Sequence, residues 1–446
     1  MSASRALEVS VVVASRDGMK HLRRCLPALG RSRLPPGARL QAIVVDNGSR
    51  DGSPEWLGAQ PGVEAVVSRA PLGFAHANNA ARSVARGDVV AFLNNDTEVD
   101  PAWLLRPLAI LEADPGVAAV GSKLLFMHRF ARIAFHTGAG RAFVLADHHG
   151  TPLDSKVRWA GPVSPPEIRR GRIGRWVRDG AILYLPIPEP DLDEVPDRPP
   201  TVVVADREGA GPVVVSTGRR DLALARVPGV ALVDMGGADP VRLIQNAGSI
   251  VTRDGTGGDE GTGVEEGSGA YDMEAEVPSI CGAALIARRS ALDAAGWFPE
   301  YYTMYYEDTD LCLRLRQAGG RLVYCPASVV RHYHTGTNRE YSPRFVENVA
   351  RSSLLFVARF GDGALLASKL RERWSCTRAE LAASRGRPWR ERWRAAHGTR
   401  GAVDALRVLP RVLAERSWDA MLARPLSGAL LGTARCPYNQ ESEDCP

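Results

Sequence analysis

Cysteine is scarce in this sequence and follows no pattern. The 446 residues include seven cysteines, and none of them stands in a Cys-x-x-Cys pair. Such pairs are typical of zinc sites and redox motifs, and even numbers of cysteines are typical of secreted disulfide scaffolds. An odd number of scattered cysteines therefore predicts reduced thiols and argues against a cysteine-ligated metal.

Long hydrophobic runs and glycine-rich nucleotide loops are also missing. No apolar run approaches the roughly 20 residues that span a bilayer, and the polar start of the chain does not read as a signal peptide. We therefore expect a cytoplasmic protein. The absence of Gly-x-Gly-x-x-Gly and Gly-x-x-x-x-Gly-Lys-Ser/Thr after the first strand argues against an NAD domain and a P-loop NTPase. A net charge of +5 fits phosphate-bearing ligands or an anionic membrane surface, and no nucleic-acid partner is expected.

Apolar segments alternate with helical patterns over the first third of the chain. Strand candidates cover residues 9–14, 40–45, 63–67 and 88–93, and helical spacing covers residues 18–29, 75–85 and 101–112. This alternation predicts an α/β fold with a parallel sheet and crossover helices. Polar clusters at residues 14–17, 46–53 and 94–96 follow three of these strands. Because parallel sheets bind ligands at the carboxyl ends of their strands, the clusters predict one shared crevice.

Each cluster also has a structural interpretation. Residues 46–49 form a good turn sequence, Ser53 before Pro54 is a good helix N-cap, and residues 94–97 also fit a turn. The segment 301–320 has two interpretations as well, because Glu307, Asp308 and Asp310 follow an aromatic run and open an amphipathic helix. Acidic residues suit the first turn of any helix, whereas a carboxylate in an aromatic cleft suits a general base.

Taken in order, these motifs resemble the family 2 glycosyltransferases of GT-A fold, especially bacterial rhamnosyltransferase-like members. The resemblance rests on VSVVVASR (9–16), VVDNGSRDGS (44–53), GFAHANNA (73–80), GDVVAFLNNDT (87–97), PAWL (101–104), CGAAL (281–285), GWFP (296–299) and YEDTDLCLR (306–314). It covers residues 8–125 and 242–345, and it implies a Rossmann-like mixed sheet flanked by helices.

The resemblance also implies a donor site and a metal. The implied donor contacts are Ala14, Ser15, Arg16, Asp46, Asn47, Asp51, Asn78, Asn94 and Asn95. Asp96 occupies the metal position of the family's Asp-x-Asp motif, in which Asn94 replaces the first acid, and His332 and His334 are implied as further ligands. Mg²⁺ or Mn²⁺ at these residues would neutralise a diphosphate leaving group.

The second half of the site follows from the same resemblance. Asp308 would be the catalytic base with Glu307 beside it, and Asp310 is assigned to the helix cap. A single base implies inversion, in contrast to the paired carboxylates of glycoside hydrolases. The implied acceptor-binding residues are Gly282, Ala283, Trp297 and Tyr306.

We therefore divide the chain into four parts. They are a nucleotide-binding half at residues 1–125, an insertion or β-rich subdomain at 126–241, an acceptor and catalytic half at 242–358, and a basic helical extension at 359–446. The Gly-rich, acidic residues 254–269 are expected to form a solvated loop, with a lid as one interpretation. The Trp- and Arg-rich C-terminal helices fit either packing on the catalytic domain or contact with an anionic membrane.

The predicted function is that of an inverting, metal-dependent glycosyltransferase. It would move a sugar, with rhamnose as a candidate, from a nucleotide diphosphate donor to a glycan or lipid-linked acceptor of a bacterial surface polysaccharide. A binding protein without turnover is an alternative, favoured by Asn94 and by the insertion. A sugar nucleotidylyltransferase is a second alternative, although residues 13–18 lack its Gly-rich basic loop.

Overall fold

The computed structural model describes residues 6–148, 151–152, 157–165, 167–169, 172–187, 201–209, 211–217, 220–224, 229–232, 239–252, 254–333, 342–383 and 393–422. The chain divides into two compact units. The first unit contains Met1–Leu125, Gln245–Gly261 and Ala270–Pro446, and the inserted unit contains Phe126–Ile244 and Thr262–Gly269. The inserted unit thus extends past the predicted segment 126–241, because it also takes up residues 262–269.

The helices and strands follow one another along the chain in three groups. The first group is β1 (Glu8–Ser15), α1 (Met19–Gly30), β2 (Arg39–Asp46), α2 (Ser53–Gly58), β3 (Val63–Val67), α3 (Phe74–Ala80), a 3₁₀ turn (Ala81–Ser83), β4 (Val89–Asn94), β5 (Thr97–Val99), α4 (Leu105–Ala113) and β6 (Val117–Phe126). The second group is β7 (Phe130–His136), β8 (Arg141–His148), β9 (Thr151–Pro152), β10 (Arg158–Ala160), β11 (Glu167–Arg169), β12 (Arg172–Val177), β13 (Ala181–Pro186), β14 (Thr201–Glu208), β15 (Val213–Ser216), β16 (Asp221–Leu224), β17 (Gly229–Leu232) and β18 (Pro240–Val241). The third group is β19 (Ile244–Asn246), β20 (Ser249–Val251), β21 (Gly257–Asp259), β22 (Ala275–Glu276), β23 (Ala284–Arg288), α5 (Arg289–Ala295), α6 (Glu307–Gln317), β24 (Arg321–His332), α7 (Pro343–Phe360), α8 (Gly363–Ala383) and α9 (Trp393–Leu422).

One mixed sheet organises the first unit. Its strands run in the order β22-β24-β6-β23-β4-β1-β2-β3, with β19 paired to β6 and β5 paired to β24. The neighbours β4, β1, β2 and β3 are parallel, as the alternating sequence pattern predicts, whereas β23 runs antiparallel to β4. The α/β class with a mixed sheet flanked by helices is therefore confirmed.

Burial explains why these segments form strands and helices. β1 and β2 carry β-branched residues with almost no exposure, such as Val11, Val13 and Val44, which suits strands covered on both faces. Helix α1 buries Leu22, Cys25 and Leu29 against the same core, and their spacing of three and four residues places them on one helix face.

The inserted unit is built from two β-sheets. One has the order β10-β13-β7-β15-β16 with β18 on β7, and the other has the order β11-β12-β8-β14-β17 with β9 on β8. Both sheets contribute to one apolar cluster, which includes Phe135 from β7 and Val144 from β8. The insertion is β-rich, as predicted, and its valine runs near residues 202 and 213 lie in β14 and β15.

The C-terminal region is helical, as predicted, and packs within the first unit. Helix α7 starts at Pro343 with Ser342 as its N-cap, whose hydroxyl accepts a hydrogen bond from the Phe345 amide. Leu355 of α7 and Val412 of α9 are buried in one cluster with Tyr302. Among the described residues, no helix is long and apolar enough to cross a membrane.

Candidate functional site

Three strand ends of the first unit lie at one edge of the sheet. In the parallel register, Ser15 pairs with Asp46 and Ala14 pairs with Asn94, so the carboxyl ends of β1, β2 and β4 are level. Strand β23 meets β4 at the same end, where the Asn94 amide donates to the Ala283 carbonyl at 3.0 Å. The backbone therefore brings the predicted donor residues and the small residues before β23 to one crevice.

A close contact links the ends of β1 and β4. The Asn95 amide nitrogen donates to the Ser15 hydroxyl at 2.9 Å, and both side chains are nearly buried. At Gly18 a Cβ would collide with the Asn95 amide and would lie 2.5 Å from the Ser15 hydroxyl. Only glycine leaves room for this arrangement at the start of α1. Arg16 is exposed beside it, with its guanidinium 3.8 Å from the neighbouring Asp17 carboxylate.

Asp46 offers a hydrogen-bond acceptor to a ligand. Its Oδ1 accepts the Ser49 amide at 3.0 Å, while its buried Oδ2 has no hydrogen-bond partner among the described residues. A buried carboxylate oxygen without a donor is costly, so a ligand N–H or O–H would stabilise it.

Other predicted donor contacts are engaged in backbone hydrogen bonds. The Asn47 side chain bonds both the amide and the carbonyl of Leu72. Asp51 accepts the Met19 amide at 2.8 Å and so holds the first turn of α1. The Asn78 amide donates to the Phe74 carbonyl within α3. These three residues shape the edge of the sheet, and their contact with a donor stays a prediction.

The structure pairs Asp96 with His332. Strand β24 extends to His332 and pairs with β5, with His332 opposite Thr97, which places the histidine beside the end of β4. His332 Nε2 lies 3.1 Å from Asp96 Oδ1 and 3.3 Å from Asn94 Nδ2. Its Nδ1 lies 2.8 Å from Gln245 Oε1, a contact that fixes the orientation of the ring. No motif in the sequence pointed to Gln245, and His334 lies outside the described residues.

Electrostatics keep the Asp96 carboxyl ionised. Burial opposes ionisation, but the neighbouring His332 and His21 outweigh it and hold the pKa of Asp96 below its usual value. Among the described residues, no group of three or more His, Cys, Asp or Glu side chains converges to hold a metal ion. One carboxylate and one imidazole fit a divalent cation that takes its other oxygen ligands from a diphosphate.

Asp308 reaches the same edge of the sheet from helix α6. Its Oδ2 accepts the Gly282 amide at 2.7 Å and its Oδ1 accepts the Thr309 amide at 2.8 Å. Burial raises the pKa of the Asp308 carboxyl, although these two amides oppose the shift. Burial and the charge of Asp308 raise the pKa of Glu307 well above its usual value, and Glu307 Oε2 is buried without a hydrogen-bond partner among the described residues.

The chain turns sharply just before these carboxylates. Tyr305 and Tyr306 have φ of 70° and 68°, a left-handed conformation that is rare for aromatic residues and is associated with functional sites. Tyr306 is half-buried, and its hydroxyl bonds the backbone of residues 255 and 257. Trp297 is fully buried instead, with its ring against Phe92 and its Nε1 bonded to Asp293. Its side chain leaves no surface for an acceptor, so we do not retain it as a direct contact.

Asp310 does not cap helix α6, contrary to the sequence-based assignment. Its side chain has no exposure, and its Oδ1 lies 2.7 Å from Arg314 Nε. Its Oδ2 accepts the hydroxyls of Tyr301 and Tyr302 and lies 3.5 Å from Arg359 Nε. The Arg314 side chain is also nearly buried. A buried charge needs such partners, which is why Asp310 faces the core.

Asp259 is a site residue that the sequence did not reveal. It lies in the Gly-rich segment expected to be solvated, yet it is half-buried, and its carboxyl accepts the Asn246 amide at 2.7 Å and the Ser249 hydroxyl at 3.2 Å. Burial raises its pKa to about 6, and the charge of Asp308 adds to this shift while Asn246 and His332 oppose it. Asp259 therefore interacts electrostatically with both the predicted base and a predicted metal ligand.

Comparison with known proteins matches part of the chain to one family. The family model described as Glycosyl transferase family 2 matches residues 10–143. The predicted resemblance to family 2 glycosyltransferases is thus confirmed over residues 10–143.

Individual relatives match over shorter stretches. The chain is 36% identical over 96 residues to the N-acetylglucosaminyl-diphospho-decaprenol L-rhamnosyltransferase of Mycobacterium tuberculosis, covering 20% of this chain and 31% of that protein. It is 37% identical over 78 residues to the Rhamnosyltransferase WbbL of Escherichia coli, covering 18% of this chain and 30% of that protein. The chain thus spans less than a third of these relatives' lengths.

A solved structure, that of GalNAc-T7 with UDP, GalNAc and Mn²⁺, matches with a TM-score of 0.45 and 14% identity, covering 95% of this chain and 59% of that chain. At this score the likeness carries no argument, and the fold is defined here by its own sheet order.

The raised pKa of Asp259 predicts a pH-dependent effect on stability. Because the folded protein binds the proton more tightly than the unfolded chain, the contribution of this carboxyl to stability is full below pH 4 and is lost as pH rises through about 6. Asp259→Asn keeps an acceptor for Asn246 and Ser249 without the charge. We expect the melting temperature of Asp259→Asn to exceed that of the original protein by more at pH 7.5 than at pH 5. The corresponding difference in the free energy of unfolding is up to about 3 kcal/mol.

Thermal unfolding at both pH values measures this difference. Asp221→Asn, at an exposed position of β16, is the matched control and should show no such pH-dependent difference. A difference for Asp259→Asn that stays constant from pH 5 to pH 7.5 would contradict the assignment.

Proposed function

We propose that this protein is an inverting, metal-dependent glycosyltransferase that moves a sugar from a nucleotide diphosphate donor to a hydroxyl of a glycan or lipid-linked acceptor. The observation that carries the proposal is the convergence at one sheet edge of the level strand ends, the Asp96–His332 pair at 3.1 Å, and the Asp308 carboxylate bound to the Gly282 amide. The family match to residues 10–143 supports the same activity.

The donor would lie along the ends of β1, β2 and β4. Asp46 Oδ2 is placed to accept a hydrogen bond from the base or ribose, since it is buried and lacks a donor among the described residues. Ser15, Asn94 and Asn95 line the continuation of this edge towards Asp96. A nucleotide bound in this way would extend its diphosphate towards Asp96 and His332.

Asp96 and His332 are the residues that would hold Mg²⁺ or Mn²⁺. Such an ion neutralises the negative charge that develops on a diphosphate leaving group. Gln245 would keep the ring orientation of His332 by its hydrogen bond to Nδ1.

Asp308 would take the acceptor proton. The acceptor oxygen forms a bond to the anomeric carbon while the bond from that carbon to the diphosphate oxygen breaks, and the hydroxyl proton passes to the Asp308 carboxylate. The amides of Gly282 and Thr309 fix the orientation of this carboxylate, and burial makes it a stronger base than an exposed aspartate. A single base opposite the leaving group gives inversion at the anomeric carbon.

The relatives suggest the substrates. The names of the matched proteins specify rhamnosyl transfer, in one case involving an N-acetylglucosaminyl-diphospho-lipid. We propose rhamnose as the first donor sugar to test, with a lipid-linked or polymeric glycan of a bacterial surface polysaccharide as acceptor and the cytoplasm as the location of the reaction.

Removal of the proposed base should separate binding from chemistry. Asp308→Asn keeps the size of the side chain and its acceptor oxygen, so nucleotide affinity should stay unchanged. Transfer should fall at least about 100-fold, the size of effect that general bases commonly have. The measurement is transfer from rhamnosyl, glucosyl and mannosyl nucleotide donors to an N-acetylglucosaminyl diphosphate lipid analogue, with calorimetric titration of the nucleotides in parallel.

Asp293→Asn is the control, because this carboxylate is 41% exposed and an asparagine can still accept the Trp297 hydrogen bond. Full transfer by Asp308→Asn would exclude Asp308 as the base. Nucleotide binding without any transfer by the original protein would favour the binding-protein alternative.

The metal assignment predicts how nucleotide affinity depends on Mn²⁺. Titration of UDP, dTDP and GDP should show one nucleotide that binds more tightly with Mn²⁺ present. Asp96→Ala and His332→Ala should each reduce the Mn²⁺-dependent increase in nucleotide affinity by at least about tenfold, because each variant loses one metal ligand. His76→Ala, at an imidazole that is 51% exposed, is the control and should keep it. An unchanged enhancement in both site variants would show that the ion is bound elsewhere.

Peripheral contact with a membrane is a further part of the proposal. Trp374 of α8 is 63% exposed, and Leu406 of α9 is 50% exposed on a helix that also presents Arg400 and Arg407 to water. Exposed apolar and basic side chains together favour an anionic bilayer surface. The original protein should co-sediment with phosphatidylglycerol vesicles, and the double variant Trp374→Ser/Leu406→Ser should co-sediment less. Equal sedimentation of the two proteins would contradict this contact.

A further inference from the structure

Residues 254–257 form a short loop against the predicted acceptor residue Tyr306. The Tyr306 hydroxyl donates to the Gly255 carbonyl at 3.3 Å and accepts the Gly257 amide at 3.1 Å. One phenol thus binds both sides of the loop. Because Tyr306 directly precedes Glu307 and Asp308, the position of the loop and the position of the proposed base are connected through a single residue.

The same loop is packed on helix α7. Gly255 has a φ of +81°, and a Cβ there would overlap the side chain of Val357. The ring of Phe356, next to Val357, lies 5.2 Å from the ring of Tyr306. The backbone of the loop therefore approaches α7 more closely than any residue with a side chain would allow.

Residues 254–257 are also bound to helix α8 by an ion pair. Lys369 Nζ lies 2.9 Å from Asp254 Oδ2 and 3.4 Å from Thr256 Oγ1. The Lys369 side chain is only 14% exposed, whereas Asp254 is half-exposed. Hydroxyls of Thr252 and Thr256 also bond the Asp254 carboxylate, and with Lys369 they outweigh burial and lower its pKa. Asp254 is therefore a fully charged partner for Lys369 at neutral pH.

We propose that Lys369 and Asp254 are positioning residues of the acceptor site, which hold residues 254–257 against Tyr306. This inference rests on the proposed glycosyl transfer, in which Asp308 takes the proton from the acceptor hydroxyl. The ion pair connects the C-terminal helical region, beyond the family match to residues 10–143, with the segment that bears the base. Opening the loop would free the Tyr306 hydroxyl and loosen the approach of the acceptor, while the donor side at Asp46 and Asp96 belongs to other strands.

Hydrogen exchange tests the ion pair independently of turnover. Lys369→Met keeps the apolar stem and removes the charge. We expect the Gly257 amide, which donates its hydrogen bond to the Tyr306 hydroxyl, to exchange at least about tenfold faster in this variant. Lys369→Arg should restore most of the protection, because it restores the charge. Glu372→Gln is the matched control, since Glu372 pairs with the same Lys369 Nζ at 3.0 Å but is 59% exposed and does not contact the loop. Equal exchange in Lys369→Met and the original protein would overturn the proposal.

Kinetics then test the role in the reaction. With the N-acetylglucosaminyl diphosphate lipid analogue as acceptor, Lys369→Met and Asp254→Asn should raise the acceptor KM at least about fivefold and leave nucleotide affinity unchanged. A rise of acceptor KM and nucleotide dissociation constant by the same factor, or the same rise in Glu372→Gln, would indicate a general loss of structure and overturn the positioning role. Absence of transfer in the original protein would instead contradict the proposed function, and the exchange experiment would still decide whether the ion pair holds the loop.

Discussion

The carboxylate-bearing part of the site depends on one charge that is removed from water. Asp310 is fully buried, and Arg314, Arg359 and two tyrosine hydroxyls surround it. Loss of hydration costs several kcal/mol per ion unless such partners replace it, and removal of one partner from a buried pair commonly costs about 3–5 kcal/mol. Arg314 comes from the same helix as Asp310, but Arg359 comes from α7. Helix α6 therefore takes up its position, with Glu307 and Asp308 at its start, only when the C-terminal helices are folded against it.

Contacts with helix α7 also explain how an unfavourable backbone turn persists before α6. Two consecutive left-handed residues, Tyr305 and Tyr306, cost on the order of 1–3 kcal/mol each. The Ser352 hydroxyl of α7 donates to the Met304 carbonyl at 2.8 Å, and the Arg351 guanidinium donates to the Tyr301 carbonyl at 2.6 Å. Both contacts fix the chain on the N-terminal side of the turn, and on its other side the Asp308 carboxylate accepts the Gly282 amide at 2.7 Å.

The sequence predicted those features that follow from local pattern and from the order of motifs. Valine-rich strands and the polar residues after them placed Asp46 and Asn94 at one edge, because a parallel register aligns strand ends without any knowledge of side-chain packing. The pairing of Asp96 with His332 was available only through the family resemblance, since 236 positions separate them in the sequence. Their contact depends on β24 continuing for 12 residues to His332, where it pairs with β5.

The remaining features depend on contacts between distant segments that no local pattern encodes. Asp259 stands among glycines and acids, a composition typical of solvated loops, yet it is half-buried, with its carboxylate hydrogen-bonded by Asn246 and Ser249. Asp310 has the sequence position of a capping residue and became a core residue through Arg359. Trp297 lies within a family motif, yet its large apolar surface is placed against Phe92 rather than a ligand. In each case tertiary partners, rather than intrinsic preference, determine where the side chain points.

The two ends of the long inserted segment lie next to each other. The Phe126 amide donates to the Leu243 carbonyl at 3.0 Å, and β19, which begins at Ile244, pairs with β6, which ends at Phe126. Segments whose ends are close can be gained or lost in evolution with little disturbance to the host domain. The two sheets of residues 126–244 form a cassette with its own apolar cluster. In an evolving lineage, such a cassette allows the inserted surface to diversify while the strand ends that bear Asp46 and Asp96 stay under separate selection.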